Sequence, residues 1–207
     1  MQKVNYHKLM LEELERIRES GKKPRLLMHS CCAPCSIYVF HTLAKDFDLE
    51  VYYFNPNIHP EAEYRRRFAE QEELVEKMNL PFKITCPPYE PKQFYNAVRG
   101  HEHLGEKSSR CEQCFTLRLE DSAIYAKANN FDYLGTALTI SPHKNSILIN
   151  QIGLNLEKKY GVKFFVSDFK KNNGFKIATD LAKKYELYRQ CYCGCSFSLK
   201  ETNRRIE

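Results

Sequence analysis

The sequence lacks any long apolar run and contains no tryptophan. A bilayer-spanning helix needs about 20 consecutive apolar residues, so we expect no membrane partner. The opening stretch MQKVNYHKLMLEELERI is amphipathic and charged, and it lacks the apolar stretch and cleavage site of a secretory signal. Internal repeats and low-complexity segments are also absent. These absences predict a cytoplasmic protein.

The length of 207 residues suits one domain with a proper hydrophobic core. We predict a single domain over residues 1–207. It divides into an N-terminal helix (1–23), an α/β core (24–190) and a cysteine-bearing C-terminal segment (191–207).

The chain is basic, with 32 Lys and Arg against 26 Asp and Glu. A net charge of +6 makes an acidic partner such as RNA plausible. A solvated lysine-rich surface explains the charge equally simply. The run Arg65-Arg66-Arg67 has the same two interpretations, as a solvated helix face or as a contact to RNA phosphates.

Apolar patterning alternates between short strands and longer helices, which predicts an α/β fold with a mostly parallel sheet. The predicted strands cover residues 25–29, 49–54, 81–85, 133–138 and 163–166, and the predicted helices cover residues 5–20, 35–47, 61–78, 91–98, 111–129, 146–160 and 175–186.

Three unusual loops follow predicted strands: HSCCAPCS (29–36), YFNPNIHP (53–60) and TISPHKN (139–145). Ligands bind beyond the carboxyl ends of strands in parallel sheets. We therefore expect the three loops to meet at one rim and to form a single site.

Nine cysteines are unusual for a cytoplasmic chain, where thiols serve as metal ligands or catalytic groups more often than as disulfides. Cys111 and Cys114 form a C-x-x-C pair at the start of a predicted helix. With Cys31, Cys32 and Cys35 they supply four or five thiolates. The spacing fits structural zinc or a four-iron cluster, but the position on the ligand rim favours a catalytic cluster.

Two alternative sets of cysteines could be the ligands of this metal centre. Cys31 and Cys32 are adjacent, and successive side chains point apart in an extended chain. A tight turn can bring them together. The alternative set is Cys32, Cys111, Cys114 and Cys193, which leaves Cys31 free.

Cys193 and Cys195 flank a glycine near the end of the sequence. A disulfide closing so small a ring would be strained and readily reduced, so the pair could store two electrons. The other interpretation makes both residues metal ligands. Cys86 and Cys191 receive no role.

Polar residues beside the loops complete the candidate site. His143 and Lys144 can both donate to a phosphate or oxyanion, and His143 can deliver a proton as a catalytic acid. The remaining candidates, which capping and turn formation also explain, are Asn55, His59, Glu63, Tyr64, Arg118 and Asn145.

Five segments in order, HSCCAPCS, YFNPNIHPEAEYRRR, CEQCFTLRL, TALTISPHKN and CYCGCSFS, resemble the QueH family of epoxyqueuosine reductases. The resemblance implies a three-layer Rossmann-like fold of the adenine-nucleotide α-hydrolase (HUP) type. It also implies reduction of epoxyqueuosine in tRNA to queuosine, with an electron donor that the sequence does not identify.

The resemblance further implies a [4Fe-4S] cluster and no cobalamin, with a second iron beside the cluster left open. By the same resemblance the cluster ligands are Cys31, Cys32, Cys111 and Cys114. Cys193 and Cys195 are the redox-active pair, able to form a disulfide bond.

ATP-using members of this fold carry a glycine-rich S-G-G-x-D-S loop after the first strand, which residues 29–36 lack. Without those glycines the backbone cannot cradle phosphates, so we expect no ATP use. Two alternative functions remain at this point. One is an iron–sulfur tRNA sulfur-transfer enzyme of the same fold, and the other is a zinc-stabilised RNA-binding module.

Overall fold

A computed structural model of the chain describes residues 4–206. Within these residues a single sheet has five strands, all parallel, in the order β3-β2-β1-β4-β5. The strands are β1 (Arg25–His29), β2 (Asp48–Tyr52), β3 (Lys83–Thr85), β4 (Tyr133–Thr136) and β5 (Lys163–Phe164). The predicted α/β class with a parallel sheet is confirmed.

Helices connect the strands and cover both faces of the sheet. They are α1 (Tyr6–Glu19), α2 (Ala33–Leu43), α3 (Glu61–Lys77), α4 (Pro91–Ala97), α5 (Ser109–Ala128), α6 (Ser146–Tyr160), α7 (Gly174–Lys184) and α8 (Ser196–Ile206), with a 3-10 turn at Ala137–Ile140. No helix in residues 4–206 is both long and apolar enough to cross a membrane.

The central strand β1 separates two hydrophobic cores because its side chains alternate between the faces of the sheet. Leu26 and Met28 pack into a core shared with α1, α2, α3 and α7. Leu27 points to the other face, into a core shared with α5 and α6. The arrangement is helix, sheet and helix in three layers.

The strand order places a topological switch beside β1. The chain builds outward from β1 to β2 and β3, and then returns to the other side of β1 for β4 and β5. At such a point the loops leaving neighbouring strands separate and open a crevice. The crevice lies at the carboxyl ends of β1 and β4.

His29, the last residue of β1, fastens this end of the sheet. Its Nε2 lies 3.3 Å from the carbonyl oxygen of Phe54 and its Nδ1 lies 3.0 Å from Oγ1 of Thr136. A carbonyl can only accept, so Nε2 donates and Nδ1 accepts from the Thr136 hydroxyl. Burial lowers the pKa of His29 to about 3, which keeps the ring neutral. His29 therefore links the carboxyl end of β1 to the chain just after β2 and to the end of β4. Its ring does not change protonation near neutral pH.

The predicted element boundaries differ from the structure mainly near the crevice. The helix predicted from residue 35 begins at Ala33, and the strand predicted to residue 138 ends at Thr136. There the Thr136 hydroxyl accepts from the Leu138 amide and turns the chain into the 3-10 turn. Helix α8 was not predicted at all.

One glycine is required by packing. A Cβ on Gly153 in α6 would lie 2.3 Å from ring carbons of Phe164 in β5. We expect Gly153→Ala to lower the free energy of unfolding, because overpacking costs about 1–3 kcal/mol and better helix propensity returns at most about 1 kcal/mol. Urea unfolding measures the change.

Gly105→Ala is the matched control, because a Cβ there has nothing within 4 Å. Its unfolding free energy should stay within about 0.5 kcal/mol of the parent protein. Equal free energies of unfolding for the two variants would show that the Phe164 ring leaves room for a methyl group at position 153.

Candidate active site and metal centre

The loop after β1 brings two adjacent cysteines together. Cys32 is the N-cap of α2, and the Sγ atoms of Cys31 and Cys32 are 3.9 Å apart. Both side chains are buried. Adjacency therefore does not keep these thiols apart. Cys31 lines the crevice, whereas Cys32 does not.

Cys111 and Cys114 occupy the first turns of α5. The Cys111 amide donates to the Ser108 carbonyl, which fixes the start of the helix. Cys114 is buried, whereas Cys111 is half-buried and lines the crevice. The C-x-x-C spacing thus directs one thiol into the core and the other toward open space.

Arg67 of α3 holds the C-terminal cysteine segment, residues 191–195, against the core. Its guanidinium is 1% exposed and pairs with Glu63 at 2.7 Å. The two remaining nitrogens donate to the backbone carbonyls of Tyr192 at 3.3 Å and Cys193 at 3.2 Å. The sequence interpretation of Arg67 as a solvated or RNA-contacting residue was wrong, because the side chain is buried in this ion pair.

Gly194 completes the contact. Its φ of 130° is a conformation that side chains disfavour, and a Cβ would meet Arg67 at 3.1 Å and Ile58 at 3.2 Å. The Gly194 carbonyl accepts from the His59 amide at 2.8 Å. This turn directs Cys193 into the crevice and Cys195 into the small core of Phe94 and Cys114.

The crevice is a cavity of about 280 Å³, close to the size of a small-ligand site. Five cysteines contribute to its lining, and we call them the thiol wall: Cys31, Cys35, Cys111, Cys191 and Cys193. Five of the apolar lining residues we call the apolar wall: Phe115, Ile140, Leu148, Phe175 and Ala178. His143 is exposed at the rim and Lys144 is half-buried beside it.

A buried cation lies behind the thiol wall. Arg118 of α5 is 1% exposed, and its Nη2 donates to Oδ1 of Asn55 at 2.7 Å. The Asn55 amide in turn donates to the Ser30 carbonyl at 2.8 Å. Nε of Arg118 is buried without a partner. An unpaired guanidinium nitrogen beside Cys31 and Cys114 favours an anionic occupant of the site.

The thiols of Cys31, Cys32 and Cys35, near the start of α2, shift one another's pKa. Hydrogen bonds from Cys32 and Cys35 lower the pKa of Cys31 well below its ordinary value, and Arg118 and Lys144 lower it further. The hydrogen bond to Cys31 raises the pKa of Cys32 to about 11, and that of Cys35 also rises. Among these three residues the thiolate form is therefore most favoured at Cys31.

Burial shifts three further cysteines toward the protonated form. Burial raises the pKa of Cys114 to about 12, although Arg118 opposes the shift. Burial also raises the pKa of Cys111 and of Cys195. All nine cysteines are free thiols, so a Cys193–Cys195 disulfide stays a prediction. A metal bound here would have to displace protons.

The donor chemistry fits a metal–sulfur group. Within residues 4–206, no three Cys, His, Asp or Glu side chains are already grouped tightly enough for a single metal ion. A four-iron cluster is larger than an ion and takes four thiolates around a cube. Thiols at the starts of α2 and α5, with an unpaired cationic nitrogen beside them, suit an anionic metal–thiolate group.

Four of the seven predicted catalytic and ligand residues line the cavity, namely Cys31, Cys111, Cys193 and His143, whereas Cys32, Cys114 and Cys195 are buried and do not line it. Cysteines of the first loop, of α5 and of the C-terminal segment meet around one cavity with His143 and Lys144. Cys86 is exposed and bonds to Tyr64, away from the cavity. Sequence reasoning missed Gln190, whose Nε2 donates to Cys32 at 3.0 Å. It also gave no specific role to Cys35, although the C-x-x-C spacing of Cys32 and Cys35 was a usable signal.

Comparison with solved structures supports the fold type. The U34-tRNA thiolase NcsA from Methanococcus maripaludis, solved with its [4Fe-4S] cluster, aligns over 95% of this chain and 72% of its own, with a TM-score of 0.53. Sequence identity is 13%, so the likeness concerns the fold alone. It agrees with the Rossmann-like HUP type predicted from the sequence.

Sequence comparisons are more specific. A family model described as epoxyqueuosine reductase QueH matches residues 26–201. The QueH enzyme of Streptococcus pyogenes serotype M1 is 41% identical over 203 residues, covering 96% of this chain and 80% of that protein. The QueH enzyme of Thermotoga maritima is 38% identical, covering 87% and 93%. The chain therefore belongs to the QueH family of epoxyqueuosine reductases, which are oxidoreductases.

Proposed function

We propose that the protein reduces epoxyqueuosine in tRNA to queuosine in the cytoplasm, using an iron–sulfur cluster and the Cys193/Cys195 thiol pair and no cobalamin. The observation that carries this proposal is the family match over residues 26–201, which spans every segment that contributes to the thiol wall. The immediate electron donor is a separate, unidentified partner.

The reaction removes the epoxide oxygen as water. Both carbon–oxygen bonds break, an alkene forms, and two electrons and two protons are consumed. Oxidation of two thiols to a disulfide releases two electrons and two protons. The Cys193/Cys195 pair therefore balances one turnover, and an external reductant must then return it to the dithiol.

Cys31, Cys32, Cys111 and Cys114 are the residues proposed to hold the cluster. When bound, a four-iron cluster would supply single electrons and Lewis acidity at an open iron. The same fold accommodates a [4Fe-4S] cluster in NcsA. Arg118, buried beside Cys31 and Cys114, and Lys144, which lines the cavity, would offset the negative charge that four thiolates bring.

The remaining residues have roles that need no cofactor. His143, exposed at the rim, is the proposed acid that protonates the departing oxygen. Arg67 fixes the backbone of Cys193, so the thiol keeps its position during turnover. The apolar wall keeps water from the reacting carbons.

An alternative ligand set is Cys32, Cys111, Cys114 and Cys193. It has one structural argument in its favour: Cys193 is close enough to Cys111 and Cys114 for their charges to interact. In that arrangement Cys193 is a ligand and not an electron store.

The proposed reaction is tested with anaerobically reconstituted protein, epoxyqueuosine-containing tRNA and a low-potential reductant, without cobalamin. Nucleoside digestion and mass analysis should show the loss of one oxygen atom. Cluster-replete protein that leaves the epoxide intact with several reductants would overturn the proposal.

Removing a proposed ligand should release iron. We expect Cys111→Ser and Cys114→Ser to lose most of their iron and sulfide, because serine is a much poorer ligand for iron than thiolate. Cys86→Ser is the control, since Cys86 is exposed and remote from the cavity. Full iron content in both α5 variants would exclude these residues as ligands.

Cys193→Ser separates the two ligand sets. If Cys193 is an electron store, the variant keeps the iron of the parent protein and loses turnover. If Cys193 is a ligand, iron falls as in Cys111→Ser, and the alternative set is correct. Iron analysis and the tRNA assay on the same preparation distinguish these results.

A further inference from the structure

An exposed aromatic ring stands at the mouth of the cavity. Phe175 lies in the first turn of α7 and is 36% exposed, an unusual position for a large apolar side chain beside a polar site. Ala178, Thr179 and Ala182 follow it along the same helix face and also line the cavity. This spacing turns one face of α7 toward the opening.

Other apolar residues line the same cavity. Leu148 of α6 and Phe115 of α5 line it together with Ile140. Leu148 is half-buried, whereas Phe115 and Ile140 are almost fully buried. The apolar wall is therefore formed by three helices and the 3-10 turn, and it lines the same cavity as the thiol wall.

Charge at the mouth favours a polyanion. Lys107, Lys144 and Arg189 line the cavity with a single carboxylate, that of Glu106. Lys176 is exposed next to Phe175. Proteins that bind unpaired nucleotides combine basic side chains for the phosphates with aromatic rings for the bases. The mouth has both components.

We infer that Phe175 stacks on the base of the RNA nucleotide that enters the cavity. The base lies along the apolar wall, and the modified ring attached to it faces the thiol wall. The nucleotide must leave the stack of its own RNA to do this, and stacking on Phe175 compensates part of that loss. The inference rests on the proposed function, since it takes an RNA nucleotide as the substrate.

The test uses a short anticodon stem-loop RNA with 2-aminopurine at the wobble position. Stacking quenches the fluorescence of this base, so one titration gives both the dissociation constant and the base environment. Leaving the RNA stack raises the fluorescence, and stacking on Phe175 lowers it again, so the bound base should be dimmer in the wild-type complex than in the Phe175→Ala complex. Phe175→Ala should also bind about tenfold more weakly.

Two variants act as controls. Ile177→Ala removes a similarly exposed apolar side chain, 40% exposed, from the same helix, but Ile177 does not line the cavity. It should bind and quench like the wild type. Phe175→Tyr keeps an aromatic ring and should restore quenching. Iron content and unfolding free energy should match the wild type in all three variants.

The outcomes separate this inference from the proposed function. Quenching that depends on Phe175, in a protein that leaves epoxyqueuosine intact, supports the base site and overturns the reductase proposal. Active protein in which Phe175→Ala binds, quenches and turns over like the wild type overturns the base site alone.

Discussion

The structure depends on enclosing ionisable sulfur and positive charge in the same small volume. Arg118 and Arg67 are each 1% exposed, and an isolated charge so far from water would be strongly destabilising. Each is offset by specific partners: Asn55 and the neighbouring thiols for Arg118, and Glu63 with two backbone carbonyls for Arg67. Nε of Arg118 has no hydrogen-bond partner among the described residues, so the compensation of this buried cation is less complete than that of Arg67.

The parallel sheet supplies the place for this arrangement. At the switch between β1 and β4 the backbone separates without any special sequence, and the first loop, α5 and the 3-10 turn all reach the same opening. In nucleotide-binding relatives of such folds a helix N-terminus there receives phosphate. Here Cys32 is the N-cap of α2 in that position, so a cysteine stands at the helix end that would otherwise bind phosphate.

Much of this could be predicted from the sequence, because the signals are local. Strand–helix alternation predicted the sheet, and the loops that follow β1 and β4 predicted that Cys31 and His143 would lie at the same end of the sheet. Two features could not be predicted in this way. The burial of Arg67 depends on Tyr192 and Cys193, which lie 125 and 126 residues further along the chain. Helix α8 is held by Phe197 against Phe94 and by Arg110 against Glu201, contacts that no local pattern shows.

The hydrogen bonds that Arg67 donates to the C-terminal cysteine segment have a consequence for the order in which the site forms. Residues 191–195 follow every core element in the chain, so the ribosome makes them after β1, α2, α3 and α5. The contact does not rest on backbone carbonyls alone, because the Tyr192 hydroxyl donates to the His59 carbonyl and the Arg67 guanidinium lies over the Tyr192 ring. Residues 191–195 are thus a late-synthesised part of the cavity lining, and they can dock on Arg67 only after most of that lining has left the ribosome.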